Sequence, residues 1–183
     1  MLQPESVDKF SEEIFQFISQ SENRIKENAK YGQEGQEGEA EEDALDEEDL
    51  LVLKEENKNE NELQLALAEI LGVLFKTHRD HCQNLVQQLI NVYLPKVAQD
   101  TSKPKVKFLL FILDDMVEFL GPDFLGPVYP GVCQQICSYT SSKYAAIRQA
   151  AVYGIGMIAQ HGGAAFPAMS QGCLEALKVA IEY

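Results

Sequence analysis

Apolar residues recur along this chain at intervals of three and four, and no stretch of six alternates cleanly between apolar and polar. That is the period of helices rather than strands. The first segment, 4–30, sets Val7, Phe10, Ile14, Phe15, Phe17 and Ile18 on one helical face. Pro4 suits a first helical turn and Gly32 a stop. Residues 31–49 carry three glycines, many acids and almost nothing to bury. Ordering such a stretch costs about 1–2 kcal/mol per residue with no apolar gain, so it reads as a disordered acidic insertion.

The helical period resumes over 50–78. Its middle, 54–62, is polar and weak, whereas 63–75 is apolar nearly all round and calls for cover on more than one side. Further helices are predicted over 81–98 and 105–120, separated by the break at 100–104. Gly121-Pro122 closes the latter, because glycine accepts a left-handed cap and proline cannot continue a helix. A helix over 123–140 holds Pro127 and Pro130 in its early part, where a kink belongs. The last two span 144–161, stopped by Gly162-Gly163, and 165–182.

These helices repeat. Moving 105–121 forward by 41 positions pairs Val106 with Ile147, Met116 with Met157, Val117 with Ile158 and Gly121 with Gly162. Moving it back by 42 places Leu113, Met116 and Val117 on Leu71, Leu74 and Phe75. A period near 40 residues is that of stacked helical hairpins, each covering its neighbour's apolar flank. The fold class expected is all-α, an α-α superhelix (solenoid) of about three and a half hairpins filling 1–183 as one fragment. The hairpins are 4–30 with 50–78, 81–98 with 105–120 and 123–140 with 144–161, leaving 165–182 without a partner. The uncapped last helix is what suggests a fragment.

Charge is concentrated in one place. The formal charge is −14, yet 31–62 alone hold fourteen Asp or Glu against two Lys, and 63–183 balance nine acids with nine bases. So negative a segment argues against direct nucleic-acid binding. Four scattered cysteines do not make a disulfide scaffold, and a reducing compartment is expected. The longest strongly apolar run, 108–113, is far short of the roughly 20 residues of a membrane span, and the N-terminus lacks the pattern of a signal peptide. A soluble intracellular chain is expected.

The second helices of the hairpins open on an aliphatic-basic pair, Val106-Lys107 and Ile147-Arg148, with Asp100 seven residues before Lys107. That arrangement resembles HEAT repeats, in which a turn Asp and a helix base bond between neighbours. Asp100, Lys107 and Arg148 would be the members of a partial ladder, since Ser141 stands where a second Asp belongs. The stretch AIRQAAVYGIGMIAQHGG (146–163), preceded by FILDDMVEF (111–119) and by the acidic insertion, resembles the karyopherin-beta nuclear import receptors, in particular their importin beta-3 branch. Ile147 replaces the branch's Val, and 54–62 is more polar than its pattern. The resemblance implies a superhelix with second helices on the concave face. It implies a receptor that carries basic cargo, such as ribosomal proteins or histones, through the nuclear pore past nucleoporins. Release by the GTP form of the Ran GTPase would follow, with shuttling between cytoplasm and nucleus and no cofactor.

Two groups of carboxylates are the candidate protein-binding residues. The first is Glu34, Glu37, Glu39, Glu41, Glu42, Asp43, Asp46, Glu47, Glu48 and Asp49, an anionic loop that would attract basic surfaces over a distance set by salt. The second is Asp114, Asp115 and Glu118, which with Lys103 and Lys107 form a polar stripe on one helix. Such a loop is also consistent with a solvated linker, and such a stripe with intramolecular pairs.

His78, His81 and Cys82 lack the fourth ligand of a structural zinc, and Cys133 and Cys137 suit core packing better than a metal. Gly154 and Gly156 follow no strand, so the dinucleotide motif fails and close helix approach is the simpler account. No nucleophile sits in a strained turn, and no enzymatic activity is expected. Two alternatives keep the acidic or repetitive features: a phosphatase-type HEAT scaffold subunit and an acidic histone-chaperone-like binder.

Overall fold

The structure, a computed structural model, describes residues 3–37, 46–99 and 102–182. Among the described residues every regular element is helical and no strand occurs, so the chain is all-α. The α-helices are α1 (Pro4–Glu37), α2 (Glu47–Thr77), α3 (Gln83–Gln88), α4 (Leu94–Gln99), α5 (Lys103–Asp115), α6 (Gly121–Leu125), α7 (Tyr129–Ser138), α8 (Ala145–His161) and α9 (Phe166–Glu182). Wider π turns follow α3 at Leu89–Tyr93 and α5 at Met116–Leu120. The chain divides into two compact units, Lys9–Leu67 and Met1–Asp8 with Ala68–Tyr183.

In the Lys9–Leu67 unit, two parallel expectations need correction. Helix α1 does not stop near Lys30 but runs to Glu37, and α2 begins at Glu47, so 31–37 and 47–49 are helical rather than coil. Gly32 is no stop: its backbone lies against α2, where an added Cβ would meet Leu53 Cδ1 at 3.7 Å. The polar stretch 54–62 is helical throughout, and its polarity has partners. Arg24 Nη2 donates to Glu60 Oε2 at 2.9 Å, while Asn28 Nδ2 donates to Glu56 Oε2 and Asn57 Oδ1 at 3.2 Å. Lower down, buried Gln64 donates through Nε2 to Ser21 Oγ at 3.0 Å.

The buried face of α1 is also differently phased. Val7, Ser11, Ile14, Ile18 and Ser21 are the covered positions, a spacing of four and three, whereas Phe10 and Phe17 are 40% and 53% exposed. Serines therefore occupy places in a seam that a hydrophobic count assigns to phenylalanines. Likewise Leu63, Ile70 and Val73 on α2 are exposed, so that helix is covered on one face only.

The larger unit holds the main core. Helix α5 is covered around most of its circumference, burying Val106, Phe108, Leu109, Leu110, Ile112, Leu113 and Asp114. It packs on α8, which also packs on α7 and α9. Pro104 sits in the first turn of α5, where its missing N–H costs nothing, and the helix begins at Lys103. Beyond the π turn, Gly121 adopts φ +66°, the left-handed region its position requires, and Gly163 does so at +48° after α8. The Arg79 guanidinium covers the carbonyl of Leu120, with Nη2 at 2.8 Å.

The single kinked helix expected over 123–140 is instead a short α6, a 3₁₀ turn at Gly126–Val128 and then α7 with Pro130 in its first turn. Gly126 at φ +52° and the two prolines are together more than a kink can absorb.

Candidate functional site

Successive residues on a helix point about 100° apart, so an Asp-Asp pair at the end of α5 faces two directions at once. Asp115 turns towards α2 and Asp114 towards α8. Each meets a glycine. A Cβ built on Gly72 of α2 would collide with the Asp115 carboxylate, its Cγ at 2.8 Å. One built on Gly154 of α8 would collide with the Asp114 carboxylate and with Ile136 Cγ2, the latter at 2.7 Å. The two glycines are therefore notches that admit the two acids. Gly156, the other half of the Gly-x-Gly pair, has open space around it and serves no such contact.

Between α2, α5 and α8 lies a cleft of about 460 Å³. Its walls include Glu69 of α2, Lys107, Phe111, Asp114 and Asp115 of α5, and Tyr153 of α8. Asp114 is only 4% exposed, and its Oδ1 has no hydrogen-bond partner. Burial, reinforced by Asp115 and Glu118, pushes its carboxyl from the ordinary 3.8 up to about 8. The half-buried Asp115 is pushed up to about 6, again by burial first and then by Glu118 and Glu69. Among the described residues neither acid has an ion pair. The nearest cleft cation, Lys107, instead lies over the ring of Phe111, its Nζ 5.4 Å from the centroid. The Tyr153 hydroxyl is raised too, by burial and then by Glu118, Asp114 and Asp115. Chemically this is a partly dehydrated pocket with two aromatic walls and more carboxylates than cations.

The structure thus brings together Asp114, Asp115 and Lys107 from the predicted residues. Glu118 lies half-buried in the π turn, outside the cleft lining but close enough to raise both acids. Lys103 is elsewhere, over the ring of Tyr144 at 5.9 Å. Of the proposed ladder, Arg148 donates through Nη1 to the carbonyl of Ser142 at 2.8 Å, within its own turn, and Asp100 lies outside the described residues. In the acidic segment Glu34 and Glu37 belong to the end of α1, while Glu39, Glu41, Glu42 and Asp43 lie outside the described residues. Asp46 caps α2, accepting the Asp49 N–H at 2.8 Å, and Glu47, Glu48 and Asp49 form its first turn. Those four acids favour the positive end of the helix dipole, a local structural role.

Glu69, Phe111 and Tyr153 of the cleft, and Gly72 that receives Asp115, are residues that sequence reasoning did not single out. The 42-residue shift holds the signal, because it sets Gly72 against Asp114, one position from the Asp115 that Gly72 receives. The cysteines have quieter surroundings. Cys82 donates to the carbonyls of His78 and Leu74 at 3.3 and 3.6 Å, and burial pushes it up to about 11. Cys133 and Cys173 are buried and Cys137 is half-buried; burial raises Cys133 to about 11 and Cys137 to about 12. Among the described residues no three of His, Cys, Asp and Glu gather as metal ligands, and no helix is long and apolar enough to cross a membrane. No family model matches the chain.

Proposed function

We propose that this chain is part of a HEAT-repeat nuclear transport receptor, one that holds basic protein cargo and yields it to the GTP form of Ran. The observation that supports this reading is the row formed by Gly72, Asp114-Asp115 and Gly154. Helices α2, α5 and α8 meet at corresponding levels although their contact residues, Gly72 with Asp115 and Asp114 with Gly154, lie 43 and 40 positions apart in sequence. Contacts that recur at an interval near 40 residues are what stacked hairpins would produce. The shared edge of these helices carries the carboxylate-rich cleft, which has the charge a basic cargo needs. The wording of 146–163, and its resemblance to the import receptors, supplies the transport part of the proposal.

The test is retention of histones or basic ribosomal proteins on an immobilised receptor carrying this segment, with and without GTP-loaded Ran. Cargo retained in its absence and released in its presence is the expected result. Retention indifferent to the nucleotide state of Ran would point to a static HEAT scaffold. Capture of histones equally well by a peptide of residues 31–62 would place binding in the acidic segment alone.

A further inference from the structure

We propose that the cleft between α7 and α9 is a site for one soft monovalent metal ion, copper(I), held by the thiolates of Cys137 and Cys173 with the thioether of Met169. Three of the chain's four cysteines and one of its four methionines line this cleft of about 430 Å³. Their spacing explains the gathering. Cys133 and Cys137 lie four apart on α7, Met169 and Cys173 four apart on α9, and the two helices pack on each other. Residues four apart share a helical face, so two rows of sulfur meet across the contact. Core packing explains a buried cysteine where neighbours close on it, but here the sulfurs border open space.

The thiols are not equivalent. Cys137 and Cys173 are close enough to hydrogen-bond to each other, whereas Cys133 has the Tyr129 hydroxyl beside it. Cys173 is buried and Cys137 half-buried, so an ion entering the cleft reaches the pair through Cys137. The fourth cysteine, Cys82, donates to the carbonyls of His78 and Leu74 and lies outside this cleft.

The ligand set selects the metal. Among the described residues no third His, Cys, Asp or Glu converges with the pair, so the third place falls to Met169, half-buried in the lining. A structural zinc needs four ligands, and an iron–sulfur cluster needs four thiolates. Magnesium and calcium need several oxygens, but the side-chain oxygens of the lining are the Gln134 amide and a Ser138 hydroxyl already donated to the Gln135 carbonyl. Copper(I) is soft, takes thiolate and thioether sulfur, and accepts a low coordination number. Binding balances simply: one copper(I) ion and two thiols give a copper(I) dithiolate and two protons, which pass to solvent. The copper keeps its charge and no electron moves. Burial raises the Cys137 thiol, so it holds its proton until the ion displaces it. The site is independent of the transport reading.

The experiment titrates the reduced 183-residue chain with copper(I) under nitrogen, in competition with the chelator bicinchoninate. Amide NMR shifts are followed in parallel with silver(I), a redox-inert stand-in. Expected are one ion per chain held against the chelator, and silver-induced shifts at Cys137, Met169 and Cys173 with none at Cys82. Cys137→Ala and Cys173→Ala should each lower the affinity at least about hundredfold, beyond what a change outside the ligand shell costs, and Met169→Leu about tenfold. Cys133→Ala and Cys82→Ala should stay within about threefold of the parent chain. Circular dichroism checks the helicity of each variant, and the silver shifts in the unaltered chain hold whether or not a variant folds. No ion held against the chelator, an ion bridging two chains, silver shifts centred on Cys82, or full affinity in Cys137→Ala or Cys173→Ala would overturn the assignment. So would a loss in Cys133→Ala as large as that in Cys137→Ala.

Discussion

Two glycines of α8, two residues apart, should respond in opposite directions to the same added methyl group. Alanine favours a helix interior over glycine by about 1 kcal/mol. At Gly156 nothing lies within 4 Å of the new Cβ, so Gly156→Ala should gain about that amount. At Gly154 the new Cβ lands on the Asp114 carboxylate and within 2.7 Å of Ile136 Cγ2. Neither can swing away: Asp114 has one methylene between carboxylate and helix, Ile136 is branched and fully buried, and both helices are packed. Overpacking of this kind costs about 1–3 kcal/mol, which offsets the helix gain and leaves a net loss of about 0–2 kcal/mol. The two variants should therefore differ by about 1–3 kcal/mol. Urea unfolding followed by circular dichroism at 222 nm measures this, with the slope checked for constancy so that midpoints are comparable. If Gly154→Ala proves as stable as Gly156→Ala, the notch is not a tight contact and the seating of Asp114 described above is wrong.

Three other outcomes are expected. Because the folded-state carboxyl of Asp114 titrates above its unfolded value, the folded chain holds a proton that the unfolded chain has lost between about pH 4 and pH 8. Its contribution is thus fully present below that window and falls as pH rises through it, by at most about 1.4 kcal/mol per unit; Asp114→Asn should show a flatter stability profile from pH 5 to 8, and an unchanged profile would refute the burial argument. Ser21→Ala leaves the buried amide of Gln64 without its acceptor and should cost about 1–3 kcal/mol, most of it recovered by adding Gln64→Leu, as a double-mutant cycle in urea would reveal. Native-state titration with a thiol reagent should be slow at Cys82, Cys133 and Cys173, with Cys137 reacting first, since it is the one cysteine of the four that is not fully buried.

Much of the helical layout was legible in the sequence because period and stop signals agreed. Gly121-Pro122 and Gly162-Gly163 ended their helices where expected, since backbone conformation at those points depends on the residue itself. Phe10 and Phe17 misled, because hydrophobicity says what gains from burial and not which face a neighbour covers; the serines at 11 and 21 take that seam through spacing and a buried hydrogen bond. The stretch 54–62 looked weak because its stabilisation comes from Arg24 and Asn28, more than 25 residues away in the chain. Asp114 and Asp115 were visible as a pair, but their burial was not, because the glycines that receive them lie some forty residues off in either direction. At 46–49 the charge was legible but the helix start was not, because the Asp46 cap on the Asp49 N–H is a matter of local geometry and not of composition.

The Asp-Asp pair ties the fates of two interfaces together. A single dipeptide is wedged into one neighbour on its left and another on its right, so α5 behaves like a gear tooth held between two racks. Turning or sliding that helix to relieve crowding on α2 must unseat it from α8, and the reverse holds as well. Strain entering at either flank is therefore handed across to the other, and whatever fills the space above the pair is felt by all three helices together.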